Sequence, residues 1–332
     1  MYGRKWGIGV LVLFICFALA LGLFFRSTAR IRDMVEPLAP HGGEAPRKRI
    51  VLVSQELDNP YWRAVEEGAR AAGEEYGMDI EYTGPYRINP EEQLRLLDQA
   101  IASRADGILI QGTGDPGSRA LVSKAAEKGI PVVAVDADEP DSGRVAYTGT
   151  DNEAAGAAMA ELVAEASGGA GRVGILAGTL RADSQRLRVE GFRRALARYP
   201  ELTVAGVRTT DISRLQAANE AEVFLSMEPP VRFIVSFSSL DGLGALDAAE
   251  RLRQPSELPE IFAFDDLPDT VAAISQGLIR ASVVQEPRQM GREAVVLLQA
   301  RLNGQPVPEK RYTPIRILQE PPTAVTKGGG RS

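Results

Sequence analysis

Ser54-Gln55-Glu56-Leu57-Asp58-Asn59-Pro60-Tyr61-Trp62 separates two patterns of different period. Before it stands Ile50-Val51-Leu52-Val53, a branched apolar run that reads as a buried strand. After it, Trp62, Val65, Ala69, Ala72 and Tyr76 fall on one helical stripe. Asn59 is a good N-cap, and Pro60 suits the first helical position, where its missing N–H is not needed. The stretch is therefore a strand-to-helix turn. In open α/β sheets, ligands bind at such turns, beyond the carboxyl ends of the strands. Tyr61 and Trp62 could lay aromatic faces against a small ligand there, and Asn59 offers both a donor and an acceptor. Taken alone, these residues favour a plainer reading, with Trp62 in the core and Asn59 only a cap.

The same alternation continues downstream. Apolar strand-like runs recur at 50–54, 78–83, 107–111, 132–136, 145–150, 172–178, 203–209, 233–238, 260–265 and 280–285. Helix-like stretches lie between most of them, at 60–76, 90–103, 116–128, 152–167, 183–198, 213–228, 240–252, 267–276 and 287–303. Repeated βα units imply parallel sheets covered by helices on both faces. So many strands are more than one sheet readily holds, so two Rossmann-like lobes are expected. A chain of 332 residues is long enough for both.

Hydrophobic content of 44% and charged content of 25% are ordinary for a globular protein. The net charge of −6 argues against a nucleic-acid partner. There is one cysteine, Cys16, and one histidine, His41, so an internal disulfide and a Cys/His metal site are excluded. A Ser-His or Cys-His catalytic pair is equally disfavoured, because His41 lies in a polar linker. No metal or cofactor is expected.

Arg4 and Lys5 precede an uncharged stretch from Trp6 to Phe25. Its ~20 residues span roughly 30 Å as a helix, the thickness of a bilayer core. Ala18-Leu19-Ala20 offers a possible cleavage site, but Leu21 to Phe25 carry the apolar run past it. The residues before Cys16 are too large for a lipoprotein signal. The favoured reading is a cytoplasmic stub and uncleaved transmembrane anchor at 1–25, with a signal sequence as the alternative, then a linker at 26–48 and a polar tail at 321–332.

Gly112-Thr113-Gly114-Asp115-Pro116-Gly117 fits the G-x-G-x-x-G pattern, with Asp136 closing the next strand. Taken literally it would bind a dinucleotide. Pro116 removes an N–H that should face the pyrophosphate, and the loop belongs to the third βα unit. The export implied by the apolar segment also disfavours a nicotinamide cofactor. A tight glycine turn is the better reading, and an oxidoreductase is a disfavoured alternative.

From Arg49 to about Glu320 the chain resembles the periplasmic sugar-binding proteins of the ribose-binding type. The marks are Asp58 to Trp62, Ile130 to Asp136, Thr150-Asp151-Asn152, Arg186 to Phe192, Leu243 to Leu246, Phe264-Asp265 and Val284 to Pro287. Their order and spacing carry the resemblance. It implies a three-strand hinge, with lobe one at 49–150 plus 286–312 and lobe two at 151–285 plus 313–320. It implies that Asn59 bonds a ligand hydroxyl while Tyr61 and Trp62 sandwich the ring. Asp136 and Asp265 would accept hydroxyl hydrogens, Arg186 would donate from the opposite lobe, and Gln285 would close the site. Gln111 and Ser238 take places where the family commonly has other polar residues. Carboxylates suit sugar hydroxyls because they only accept.

Ala137 follows the first aspartate where the family usually has Arg, and Phe237-Ser238-Ser239 replaces a usual Asn-Asp. These departures point away from ribose and toward another monosaccharide or a cyclic polyol. The expected protein is thus no enzyme. It would be an extracytoplasmic, membrane-tethered solute-binding protein that serves an ABC importer permease or signals to a membrane histidine kinase. A DNA-binding regulator is disfavoured, since anchor and linker occupy the place of a helix-turn-helix.

Overall fold

Two six-stranded sheets, each covered by helices, are built from interleaved parts of the chain in the computed structural model. The structure describes residues 47–252 and 258–319, with isolated positions among 17–26. Most of the expected anchor, most of the linker and the tail lie outside the described residues. No helix among those described is long and apolar enough to cross a membrane.

The first sheet runs β11-β5-β4-β3-β1-β2. Its strands are β1 (Lys48–Val53), β2 (Met78–Thr83), β3 (Gly107–Ile110), β4 (Val132–Val135), β5 (Ala146–Thr150) and β11 (Lys310–Thr313). Helices α1 (Pro60–Tyr76), α2 (Pro90–Ala102), α3 (Pro116–Glu127) and α9 (Pro287–Leu302) complete this lobe. The second sheet runs β12-β10-β9-β8-β6-β7. It comprises β6 (Ala170–Ala177), β7 (Glu201–Thr209), β8 (Phe233–Ser236), β9 (Glu260–Phe264), β10 (Ala281–Val284) and β12 (Arg316–Gln319). Its helices are α4 (Asn152–Ser167), α5 (Asp183–Leu196), α6 (Arg214–Leu225), α7 (Asp241–Leu252) and α8 (Pro268–Ser275).

The central strands Gly-Ile-Leu-Ile, Val-Val-Ala-Val, Phe-Ile-Val-Ser and Ala-Ser-Val-Val are buried along their whole length. That is the pattern of a parallel sheet covered on both faces. β11 and β12 are additions to the strands expected above. They flank Pro314 and carry Lys310, Arg311 and Arg316, so neither shows an apolar run. Both are edge strands, where charge is tolerated. β12 pairs antiparallel with β10, the exception to the expected parallel order.

The chain passes between the sheets at Thr150–Asn152, at Gln285–Glu286 and at Pro314–Ile315. Two helix pairs repeat one device. α1 meets α9 at Gly68 and Gly291, and α4 meets α5 at Gly156 and Gly191. A Cβ on Gly156 would fall well inside van der Waals contact with the Arg188 carbonyl, and one on Gly191 would do the same at Glu153. Backbone touches backbone at these crossings, which only glycine permits.

Candidate functional site in the cleft between the lobes

Asp136 follows β4 and Asp265 follows β9, each in the left-handed region, with φ of 67° and 63°. Aspartate tolerates that region better than most residues. In each case the N–H donates to the neighbouring strand, at 2.9 Å to the Thr148 carbonyl and 2.8 Å to the Val283 carbonyl. This conformation turns each carboxylate off its strand end, and Asp136 lines the cavity between the lobes.

On the first lobe, Asp136 Oδ1 accepts from the Tyr61 hydroxyl at 2.7 Å, and Oδ2 accepts from Gln111 Nε2 at 2.9 Å. Burial raises the Asp136 pKa, partly offset by the Tyr61 hydrogen bond, the Arg188 charge and Gln111. Burial also lifts the Tyr61 phenol well above its ordinary value, followed by the nearby Asp136 and Asp265 charges. Tyr61 is therefore a neutral donor. Tyr147 donates to the Asp136 carbonyl at 2.9 Å and backs the same loop.

On the second lobe, Asp265 Oδ1 accepts from Gln285 Nε2 at 3.0 Å. Burial pushes the Asp265 carboxyl up to about 6, against the lowering influence of Arg188 and Gln285. Arg188 is 4% exposed. Its Nε donates to Asn152 Oδ1 at 2.8 Å, Nη1 to the Phe237 carbonyl at 2.8 Å, and Nη2 to Gln285 Oε1 at 2.9 Å. The guanidinium also lies 4.0 Å from the Phe264 ring centroid. This buried cation lies near enough to the two carboxylates, which come from opposite sheets, for its field to lower the pKa of both.

The structure brings Tyr61, Gln111, Asp136, Asp265 and Gln285 together in this network. It redraws three other expectations. Trp62 is 3% exposed and packs with Ile50, Leu52, Val65 and Met290 in the first lobe's core. Its ring meets Tyr61 edge-on, with centroids 6.1 Å apart. Consecutive helical residues point about 100° apart, so only Tyr61 of the pair reaches the cleft. Asn59 has both ends of its amide committed. Oδ1 accepts from the Tyr61 N–H at 2.9 Å, and Nδ2 donates to Glu56 Oε2 at 3.1 Å.

Arg186 is the third correction. It is exposed on α5 and pairs with Asp183 at 2.8 Å and Glu190 at 3.0 Å. Arg188 is the arginine of the cleft. Its signal was present in the sequence, because Gln185, Arg188, Val189 and Phe192 share the buried face of α5 while Asp183, Arg186 and Glu190 share the polar one. Ser238 is buried just beyond the end of β8, next to the Phe237 carbonyl that Arg188 and Gln185 engage.

A cavity of about 520 Å³ opens from Asp136 between the lobes, lined by Ala137, Tyr147, Asn152, Arg181 and the Gly112–Gly114 loop among others. That loop is tied down from below. Glu139, fully buried, accepts from the Thr113 N–H at 2.9 Å and the Ser118 hydroxyl at 2.6 Å. Asp115 caps α3 by accepting from the Gly117 N–H at 2.7 Å. Two N–H groups that a pyrophosphate would need are thus already engaged. No group of His, Cys, Asp and Glu among the described residues is placed to hold a metal ion.

A model of the periplasmic binding protein domain matches residues 50–306. The ribose import binding protein RbsB of Haemophilus influenzae is 25% identical over 295 residues, spanning 89% of this chain and 99% of that protein. Among solved structures, GanP, a glucose-galactose binding protein from Geobacillus stearothermophilus, is 38% identical with a TM-score of 0.79, covering 83% of this chain and 98% of that one. The XylFII-LytSN complex contains a chain 32% identical, with a TM-score of 0.74, covering 82% of this chain and 98% of that one.

Proposed function

We propose, on the premise that this chain belongs to the periplasmic binding protein family, that it captures a monosaccharide or cyclic polyol outside the cytoplasm and hands it to an ABC-type importer. The observation that carries this reading is the pair of carboxylates, Asp136 and Asp265, one at a strand end of each lobe, with Arg188 bonded to the Gln285 amide that holds Asp265. Carboxylates accept from the hydroxyls of a polyol, and the hydrogen bonds they make are worth roughly 1.5–3 kcal/mol each. Arg188 and Tyr61 are donors and balance the acceptors. Because the groups come from both lobes, a ligand that touches both binds the closed form better and shifts the population toward it. The name of RbsB speaks of ribose import and that of GanP of glucose and galactose binding by those proteins, and the shared fold extends the reading here.

A thermal-shift screen of the full chain against monosaccharides, polyols and their phosphates tests it. A ligand at 100 times its Kd adds about 2.7 kcal/mol of stability. A screen in which no sugar or polyol raises Tm would defeat this reading. Titration with a nicotinamide cofactor tests the disfavoured oxidoreductase alternative, and no spectral change is expected.

A second reading, in which lobe closure is reported to a membrane sensor kinase, takes support from a 32% identical chain solved in a complex, XylFII-LytSN, so that a chain of this fold can have a macromolecular partner. The apolar stretch from Trp6 to Phe25 suits either role as a retained anchor. Mass spectrometry on protein from its native membrane should find peptides that begin before Leu21. A mature chain that starts at Leu21 and is released to the medium refutes tethering. Co-purification with a kinase rather than a permease separates the two roles.

A further inference from the structure

The hydrogen bonds around Arg188 close into a circuit that runs through the hinge. Arg188 Nε donates to Asn152 Oδ1, and Asn152 Nδ2 donates to the Thr150 carbonyl at 3.2 Å. The Thr150 hydroxyl donates to Gln285 Oε1 at 2.8 Å, and Arg188 Nη2 reaches the same oxygen. Thr150 and Asn152 bound the first passage between the lobes, and Gln285 begins the second. Every side chain in the circuit is 6% exposed or less. Tyr147 links it to the first lobe, with its hydroxyl 2.9 Å from the Asp136 carbonyl and 3.4 Å from the Thr150 carbonyl.

We propose that Thr150 is a positioning residue that couples ligand contact at Arg188 to the hinge. The inference rests on the ligand reading above and deepens it by naming how the cleft and the hinge communicate. The physical step is the amide of Gln285. An amide has one acceptor end and one donor end. With Oε1 drawn by both Thr150 and Arg188, Nε2 is left to donate to Asp265 Oδ1. Thr150 and Arg188 together therefore set the orientation of Gln285, and Gln285 in turn holds Asp265 through Oδ1. The same contact ties one hinge strand to another, so rotation of the lobes about the hinge strains the contacts that hold the arginine. Thr150 also lines the cavity, so the unliganded inter-lobe distances, which no ligand contact can move, are the readout that separates its hinge role from a ligand contact.

The test uses the full chain with Cys16→Ser, fluorescent labels at Glu91→Cys on α2 and Glu250→Cys on α7, and D-galactose as the probe. Thr150→Val keeps the shape and removes the donor. It should broaden the inter-lobe distance distribution of the unliganded chain and weaken D-galactose binding by about 3- to 10-fold, the loss of one ordinary buried hydrogen bond. Thr150→Ser restores the hydroxyl and should restore both readouts. A general loss of stability would lower Tm without broadening the distances of the folded molecules. If Thr150→Val does not fold, Thr150→Ala serves in its place. A distance distribution and an affinity both unchanged in the donor-less variant overturn the proposal. Failure of the parent chain to bind D-galactose or any other sugar would count against the ligand reading, while the unliganded distances would still decide the role of Thr150.

Discussion

Asp136 and Asp265 occupy equivalent places in the two lobes. Each is the residue just after the third strand of its sheet, each has φ above 60°, and each is held by an N–H bond to the adjacent strand. The site therefore holds two like-charged acceptors and one buried cation, Arg188, whose field reaches both. Several measurable properties follow from that imbalance.

The pH dependence has a definite sign. Burial raises the Asp265 pKa to about 6, above its unfolded value near 3.9. The folded chain thus binds this proton more tightly than the unfolded chain. The unliganded protein loses stability from this group as pH rises from about 4 to about 6, and the cost persists above that window. Asp265→Asn should stabilise the unliganded chain at pH 7 by at most about 3 kcal/mol and make little difference near pH 4. Asn accepts the left-handed backbone at this position, so the comparison isolates the charge. Sugar hydroxyls favour the ionised acceptor, so parent affinity should rise between pH 5 and pH 7. Urea melts and calorimetry across that range check both signs.

Arg188 and Arg186 should behave oppositely. Arg188→Ala leaves two buried carboxylates without their shared cation, a change that costs about 3–5 kcal/mol in buried pairs. Sugar binding should be lost with it. Arg186→Ala removes only exposed pairs on α5 and should stay within about 0.5 kcal/mol with affinity unchanged. Denaturant midpoints and titrations of both variants decide the assignment, and equal behaviour contradicts it.

Asp136→Ala and Trp62→Ala divide binding from packing. Asp136→Ala should weaken sugar binding by about 1.5–3 kcal/mol through a lost charge-assisted acceptor. Trp62→Ala opens a hole in the first lobe's core and should cost about 3–5 kcal/mol of stability. Affinity measured on the fraction that remains folded should fall far less than in Asp136→Ala.

Gly156→Ala tests the helix crossing. In an open helix this change stabilises by up to about 1 kcal/mol. Here the new methyl meets the carbonyl of Arg188 itself. Overpacking of this kind typically costs about 1–3 kcal/mol, and α5 must move away. Both Tm and sugar affinity should drop, because the displaced residue is the cleft arginine. A gain in Tm would show that the helices have room.

The sequence by itself determined the alternating strands and helices, because burial on both sheet faces and on one helix face leaves periods that can be counted along the chain. The family resemblance, rather than the pattern, named Asp136 and Asp265 as ligand acceptors, and their place after apolar runs agrees with the edge where such sheets bind ligands. The edge strands β11 and β12 were hidden, because a charged strand borrows its hydrogen bonds from a neighbour far away in the chain and shows no period of its own. The fold chose between readings that the residues left open: Arg188, already on the apolar stripe of α5, enters the cleft rather than Arg186, and Trp62 takes the core place that the residues alone favoured. Residues one or two apart on a helix differ by about 100–200° in direction, and the packing of α4 on α5 and α1 on α9 chooses which faces in. Only the fold, too, joined Thr150 to Gln285. They lie far apart along the chain and meet because both are points where it passes from one lobe to the other.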